Sequence, residues 1–123
     1  MFWEDKLVRR FLRYAGMHTA SDSGSDDCPS TPVQMTFALM LGKELEAIGL
    51  SDVETDSNGY VFATLPSNIP EVVPVVGFIA HYDTSPDFNG KNVRPQIIER
   101  YDGGDILLNS ENNLMLSPDE FPE

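Results

Sequence analysis

The residues best suited to chemistry lie in one stretch, His81-Tyr82-Asp83-Thr84-Ser85-Pro86-Asp87. It follows the apolar run Val72-Val73-Pro74-Val75-Val76-Gly77-Phe78-Ile79-Ala80. If that run is a strand, side chains alternate between its faces, so His81 and Asp83 leave one face and Tyr82 the other. Ligand sites in open α/β sheets lie beyond the carboxyl ends of strands. One face would then present an imidazole and a carboxylate at the edge that bears the site. Neutral imidazole is a good zinc ligand, and a neighbouring carboxylate commonly fixes the ligand's orientation. The same spacing also describes a capped strand end, with Asp83 bonding turn amides and His81 partly exposed, and spacing alone favours that plainer reading. Thr84, Ser85 and Asp87 are expected to form the turn that follows. His18, after the first helix, is expected at the surface. Cys28 lies in a polar stretch with no base nearby in sequence to activate it, so it is read as incidental.

The elements that must position this pair are readable in outline. Residues 5 to 15 predict an amphipathic helix, with Leu7, Val8, Phe11, Leu12 and Ala15 on one stripe and Arg9, Arg10 and Arg13 largely outside it; Gly16 ends it. Thr19 to Pro29 has no apolar period and reads as a mobile surface connection. A second helix starts at Thr31, a good N-cap, with Pro32 at the first helical position and Gln34 completing a capping box. Its buried stripe is Val33, Phe37, Ala38, Leu41, Leu45 and Ile48, and Gly49 supplies the stop. Gly42 weakens the helix interior by up to about 1 kcal/mol and allows close packing on a sheet. Val53 to Thr55 and Tyr60 to Leu65 flank Ser57-Asn58-Gly59, a hairpin signal. The run 72 to 80 is apolar without alternation, as a strand covered on both faces would be, with Pro74 near its start. Gln96 to Tyr101 and Asp105 to Leu108 predict a last hairpin around Asp102-Gly103-Gly104. Ser117 to Glu123 reads as extended. The order of elements predicts an α/β sandwich with helices packed on a sheet.

Composition narrows the function classes. A chain of 123 residues fits one domain or a piece of one. Its hydrophobic fraction of 41% is ordinary for a soluble protein. No apolar run approaches the roughly 20 residues needed to span a membrane. The start, Met1-Phe2-Trp3-Glu4-Asp5-Lys6, carries acids where a secretory signal needs bases. The single cysteine cannot form an internal disulfide, which points to a reducing compartment. A net charge of −12 repels phosphate backbones and argues against nucleic-acid binding.

The wider sequence around the pair carries a resemblance. His81-Tyr-Asp-Thr-Ser-Pro-Asp87, Gly90-Lys-Asn-Val93, Pro95-Gln-Ile-Ile-Glu99, Tyr101 and Gly103-Gly-Asp-Ile106 closely resemble the peptidase T family of dizinc tripeptide aminopeptidases. The likeness runs from Asp5-Lys6-Leu7 and Phe11-Leu12-x-Tyr14, through Pro29-Ser30-Thr31, to Leu116-Ser-Pro118 and Phe121-Pro122. It implies that His81 is the first zinc-binding histidine and that Asp83 is the catalytic-site aspartate supporting the ligand geometry. It further implies a cytoplasmic hydrolase that removes the N-terminal residue from short peptides, using two zinc ions that share a bridging carboxylate.

Only the front of the family pattern is matched. The family's later Asp-Asp segment, its Glu-Glu pair and its final histidine have no counterpart here; Asp26-Asp27 and Asp119-Glu120 stand at other positions. The chain, residues 1 to 123, therefore reads as the N-terminal part of a metallopeptidase catalytic domain, an incomplete α/β sandwich. It is expected to hold zinc weakly, to lack peptidase activity by itself, and to self-associate through an unpaired sheet edge. The alternative is a non-catalytic interaction or regulatory module that keeps the fold.

Overall fold

In the computed structural model, which describes residues 4–121, the elements are α1 (Glu4–Ala15), α2 (Pro32–Ala47), β1 (Ser51–Thr55), β2 (Val61–Thr64), β3 (Ile106–Asn109) and β4 (Leu114–Leu116). The first three residues of the acid-bearing N-terminus and the last two of the extended C-terminal segment lie outside the described residues. The chain divides into two units, Met1–Val93 and Arg94–Glu123. The architecture is mixed α/β, with two helices and two two-stranded antiparallel sheets. No helix among the described residues is long and apolar enough to cross a membrane.

In the first unit, α2 is the organising element. Thr31 is its N-cap in an extended conformation, and Pro32 follows at the first helical position. The Gln34 side-chain oxygen accepts from the Thr31 amide at 3.2 Å, so the capping box forms as the sequence indicates. At the other end Gly49 takes φ +95°, and the Ile48, Gly49 and Leu50 amides reach back to the carbonyls of Glu44, Glu46 and Leu45. Phe37 and Ala38 are buried, while Val33 and Ile48 at the ends of the expected stripe are exposed. Gly42 does what its position suggests. A Cβ there would stand 2.9 Å from Thr55 Oγ1, so the missing side chain lets β1 approach the helix.

Strands β1 and β2 pair antiparallel, with Thr55 opposite Val61 and Ser51 opposite Thr64 around an irregularity that includes Asp52 at φ 51°. The loop between them runs from Asp56 to Tyr60. The Asp56 carboxylate accepts from the Asn58 and Tyr60 amides, at 2.9 and 2.8 Å, and Gly59 takes φ +83°. The buried apolar residues, Phe37 and Ala38, lie on α2. Phe37 meets Tyr14 edge-on at 5.0 Å between ring centroids and stacks on Tyr82 at 5.2 Å.

Helix α1 forms where its periodicity predicts, yet its apolar stripe does not face α2. Leu7, Val8 and Phe11 are exposed. Instead Glu44 of α2 gathers Arg10 Nε at 2.6 Å, the Tyr14 hydroxyl at 2.8 Å and the Arg13 guanidinium. One carboxylate satisfying three donors turns the polar face of α1 inward.

The structure corrects three further expectations. Residues 72 to 80 form no strand and are not covered; Val72, Val75, Phe78 and Ile79 are all more than 95% exposed. A doubly covered strand exists only with neighbours to complete its ladder, and none of the described residues pairs with this run. In the second unit, Gln96 to Tyr101 does not pair with the segment after Asp102-Gly103-Gly104. The strand at Ile106 pairs forward instead, with Ile106 opposite Leu116 and Leu107 opposite Met115. The turn at Asn109 to Asn113 decides this. The Asn109 side chain accepts from the Glu111 and Asn112 amides, and Asn113 takes φ 49°. Gln96 contributes only its side-chain amide, which donates to the carbonyls of Leu107 and Leu108. Third, the segment from Thr19 is no loose connection at its start, because Thr19 is buried and Ala20 bridges in parallel to Thr84.

Candidate functional site

Tyr82 carries the candidate pair on the core. Its ring stacks on Phe37, and its hydroxyl donates to the Gly59 carbonyl at 2.8 Å. Burial raises the Tyr82 phenol above its ordinary pKa, with Asp83 adding to the effect. The residues on either side, His81 and Asp83, meet each other. The two side chains come together as their spacing suggests, but not on a strand: the segment contributes only the isolated Ala20–Thr84 bridge.

His81 Nδ1 lies 3.0 Å from Asp83 Oδ1 and 3.0 Å from the Asp83 carbonyl. Both are acceptors, so neutral His81 carries its proton on Nδ1 and keeps the Nε2 lone pair. The imidazole is 86% exposed and the Asp83 carboxyl 45%. The Asp83 carboxyl is held below its ordinary pKa, chiefly by a hydrogen bond from Ser21 and also by His81, against a smaller opposing effect of burial. The ionised carboxylate is thus the natural partner of the imidazole at neutral pH.

The polar segment after α1 supplies the rest of the site. The Thr19 hydroxyl donates to the Tyr82 carbonyl at 2.8 Å. The Ser21 amide donates to the Thr84 carbonyl, and the Thr84 amide to the Thr19 carbonyl. Ser21 Oγ donates to Asp83 Oδ2 at 2.5 Å. Behind it, buried Gln34 donates through Nε2 to the Thr19 carbonyl and to Ser21 Oγ, at 3.2 and 3.3 Å. Thr19, Ser21 and Gln34 were not singled out from sequence as site residues. The available signal was Gln34 itself: a capping-box glutamine spends its oxygen on the cap and has an amide group left to place.

The remaining candidates fall out differently. Ser85 and Asp87 bond each other, the hydroxyl donating to the carboxylate at 2.7 Å, so they form the expected turn. His18, expected at the surface, is half-buried against Gly90, and its Nδ1 has no partner among the described residues. Cys28 is exposed, with its sulfur 3.7 Å from the Asn58 carbonyl. Among the described residues no three His, Cys, Asp or Glu side chains come together as a metal-binding group. The arrangement therefore fits one corner of a zinc site: an exposed imidazole whose second nitrogen is held by a carboxylate. It does not make up the four ligands that a tight site needs.

No protein-family model matches the chain. It is similar over nearly its whole length to curated proteins named peptidase T. It is 56% identical to that of Geobacillus kaustophilus over 98% of this chain. It is 54% identical to that of Bacillus subtilis over 98%, and 57% identical to that of Caldanaerobacter subterraneus subsp. tengcongensis over 96%. The chain spans 29% of the length of each of these relatives.

Proposed function

We propose, from this likeness to peptidase T and from the geometry at His81, that the chain supplies the first ligand corner of a zinc-dependent aminopeptidase acting on short peptides. The observation that carries the reading is the division of labour in one imidazole: Nδ1 is occupied by Asp83 and Nε2 is left exposed for a ligand bond. His81 is the zinc ligand. Asp83 is the catalytic-site aspartate, fixing the tautomer and raising the basicity of the imidazole. Zinc, when bound, supplies Lewis acidity toward a peptide carbonyl and lowers the pKa of a coordinated water. This chain's own residues hold the ligand nitrogen in place, through Asp83 and through the Tyr82 anchor below it. Two zinc ions, cytoplasmic residence and action on tripeptides belong to the same proposal, and rest on the family likeness. So does the assignment of the chain as the front part of a catalytic domain.

One corner does not hold zinc tightly. The 123-residue chain is expected to bind it weakly and to release no amino acid from a tripeptide. A zinc titration followed by the imidazole nuclear magnetic resonance signals tests the first part, and an assay of amino acids released from a tripeptide tests the second. A progressive, fast-exchange shift at His81 Nε2, lost in His81→Ala, is the expected result. An unresponsive His81 would overturn the metal assignment. A one-to-one site of nanomolar affinity, or tripeptide hydrolysis abolished by His81→Ala, would overturn the view of an incomplete site.

A further inference from the structure

We infer that Ser21, oriented by Gln34, is a positioning residue for the metal corner: it holds Asp83 so that His81 keeps its proton on Nδ1 and presents Nε2. The inference rests on the metal reading above and adds to it residues from a segment that carries no chemical signature of its own. The argument follows the hydrogen atoms. Gln34 Oε1 accepts from the Thr31 amide and from Ser30 Oγ, which fixes the Gln34 amide with its NH2 group on the other side. That group donates into Ser21 Oγ. A serine hydroxyl has a single proton to give, and with its oxygen already accepting, that proton is directed at Asp83 Oδ2, 2.5 Å away. Asp83 is left with Oδ1 for the imidazole. A continuous chain of bonds thus runs from the N-terminus of α2 to the ligand nitrogen.

The placement is doubly fixed. The Ser21 amide donates to the Thr84 carbonyl, so backbone and side chain of one residue grip both Thr84 and Asp83. Gln34 is buried, 3% exposed, and its donors and acceptors are all used, so it cannot turn without leaving a buried polar group unpaired. Without the Ser21 hydroxyl, Asp83 keeps its charge but loses the bond that selects its rotamer. Both of its oxygens then compete for water, and the hold on Nδ1 loosens. The Asp83 carbonyl still accepts from Nδ1, so the bias weakens rather than vanishes.

The test is the nitrogen spectrum of the His81 ring in the labelled chain, read for the neutral form of the ring. The wild type should show a predominant Nδ1–H tautomer. Ser21→Ala should shift the population toward Nε2–H and require about two- to tenfold more zinc for half of the His81 response. Ser21→Thr, which restores the hydroxyl, should recover both. If Ser21→Ala does not fold, Ser21→Cys, close in shape but a weak donor, should give an intermediate tautomer ratio. Equal tautomer ratios in wild type, Ser21→Ala and Ser21→Cys would overturn the inference. A tautomer shift with no zinc response at His81 would keep the positioning role and remove the metal reading, so the two failures are distinguishable.

Discussion

At Gly59 the backbone sits at φ +83°, and an added Cβ would come 2.6 Å from the Tyr82 hydroxyl oxygen. That hydroxyl donates to the Gly59 carbonyl, so the loop and the residue between His81 and Asp83 are locked together. Gly59→Ala should therefore cost about 1–3 kcal/mol, from the left-handed backbone and from the clash together. Tyr82→Phe removes only the hydrogen bond and should cost about 1 kcal/mol. The double variant is the informative one. Phenylalanine lacks the oxygen that an alanine at 59 would strike, so the combined loss should be smaller than the sum of the single losses. Urea unfolding of the four proteins measures the coupling. A strictly additive pair would mean that the Gly59–Tyr82 contact does not hold the segment. At this scale the sequence was legible where a residue's own chemistry sufficed. The shared side of His81 and Asp83 followed from their spacing by two. The grip of Ser21 on Asp83 did not, because it joins residues 62 apart, and a polar stretch shows no period that would mark it as docked.

Helix α2 is held to α1 by the Phe37–Tyr14 ring contact and by the Glu44 carboxylate. Burial alone would raise the pKa of Glu44, but hydrogen bonds from Arg10, Tyr14 and Arg13 outweigh it and leave the group below its ordinary value of 4.5. The same contacts raise Arg10, through the hydrogen bond with Glu44, and Tyr14, mainly through burial. Because the folded-state pKa of Glu44 is lowered, its contribution to stability is fully present above the unfolded value and is lost as pH falls through the folded one. Wild-type stability should accordingly decline below about pH 5 more steeply than that of Glu44→Gln. Near neutral pH the substitution should cost about 1–2 kcal/mol, a figure kept modest because the Arg13 side chain is 52% exposed. Urea midpoints measured across this pH range decide it; parallel profiles for the two proteins would contradict the clasp. The helices themselves were readable, since caps and stops are local: Thr31, Pro32, Gln34 and Gly49 each act within a turn of their own position. Which face of α1 turns inward was not readable, because the apolar stripe was the stronger local pattern and Glu44 lies thirty or more residues from its partners. The second hairpin was misread for a related reason. Asp102-Gly103-Gly104 looks like a turn, and Gly103 does take φ +87°, but the strand after it pairs with Leu114 to Leu116 across the Asn109 turn.

For the molecule as a whole, the decisive segment is 72 to 80. Its composition is that of a strand buried on both faces, and in this chain Val72, Val75, Phe78 and Ile79 are almost wholly exposed. Nothing among the described residues completes its backbone hydrogen bonds, so the run combines apolar surface with free edge groups. The strand expected here from composition does not form. None of the described residues pairs with it, and no pattern within a segment reveals whether a neighbour will pair with it. The proposed consequence is association between copies through this run. The net charge of −12 opposes it, since two such chains repel each other. Salt screens that repulsion and leaves the burial of apolar surface intact. Association should therefore rise with protein concentration and rise further at high ionic strength, the opposite of an assembly held by ion pairs. Phe78→Asp should suppress it at either ionic strength, because a carboxylate cannot be buried in the new interface without a partner. Light scattering over a concentration series, at low and high salt, reads all three effects. A chain that stays monomeric at high concentration in high salt would show that the apolar run is not an adhesive edge, and that its exposure has no consequence for assembly.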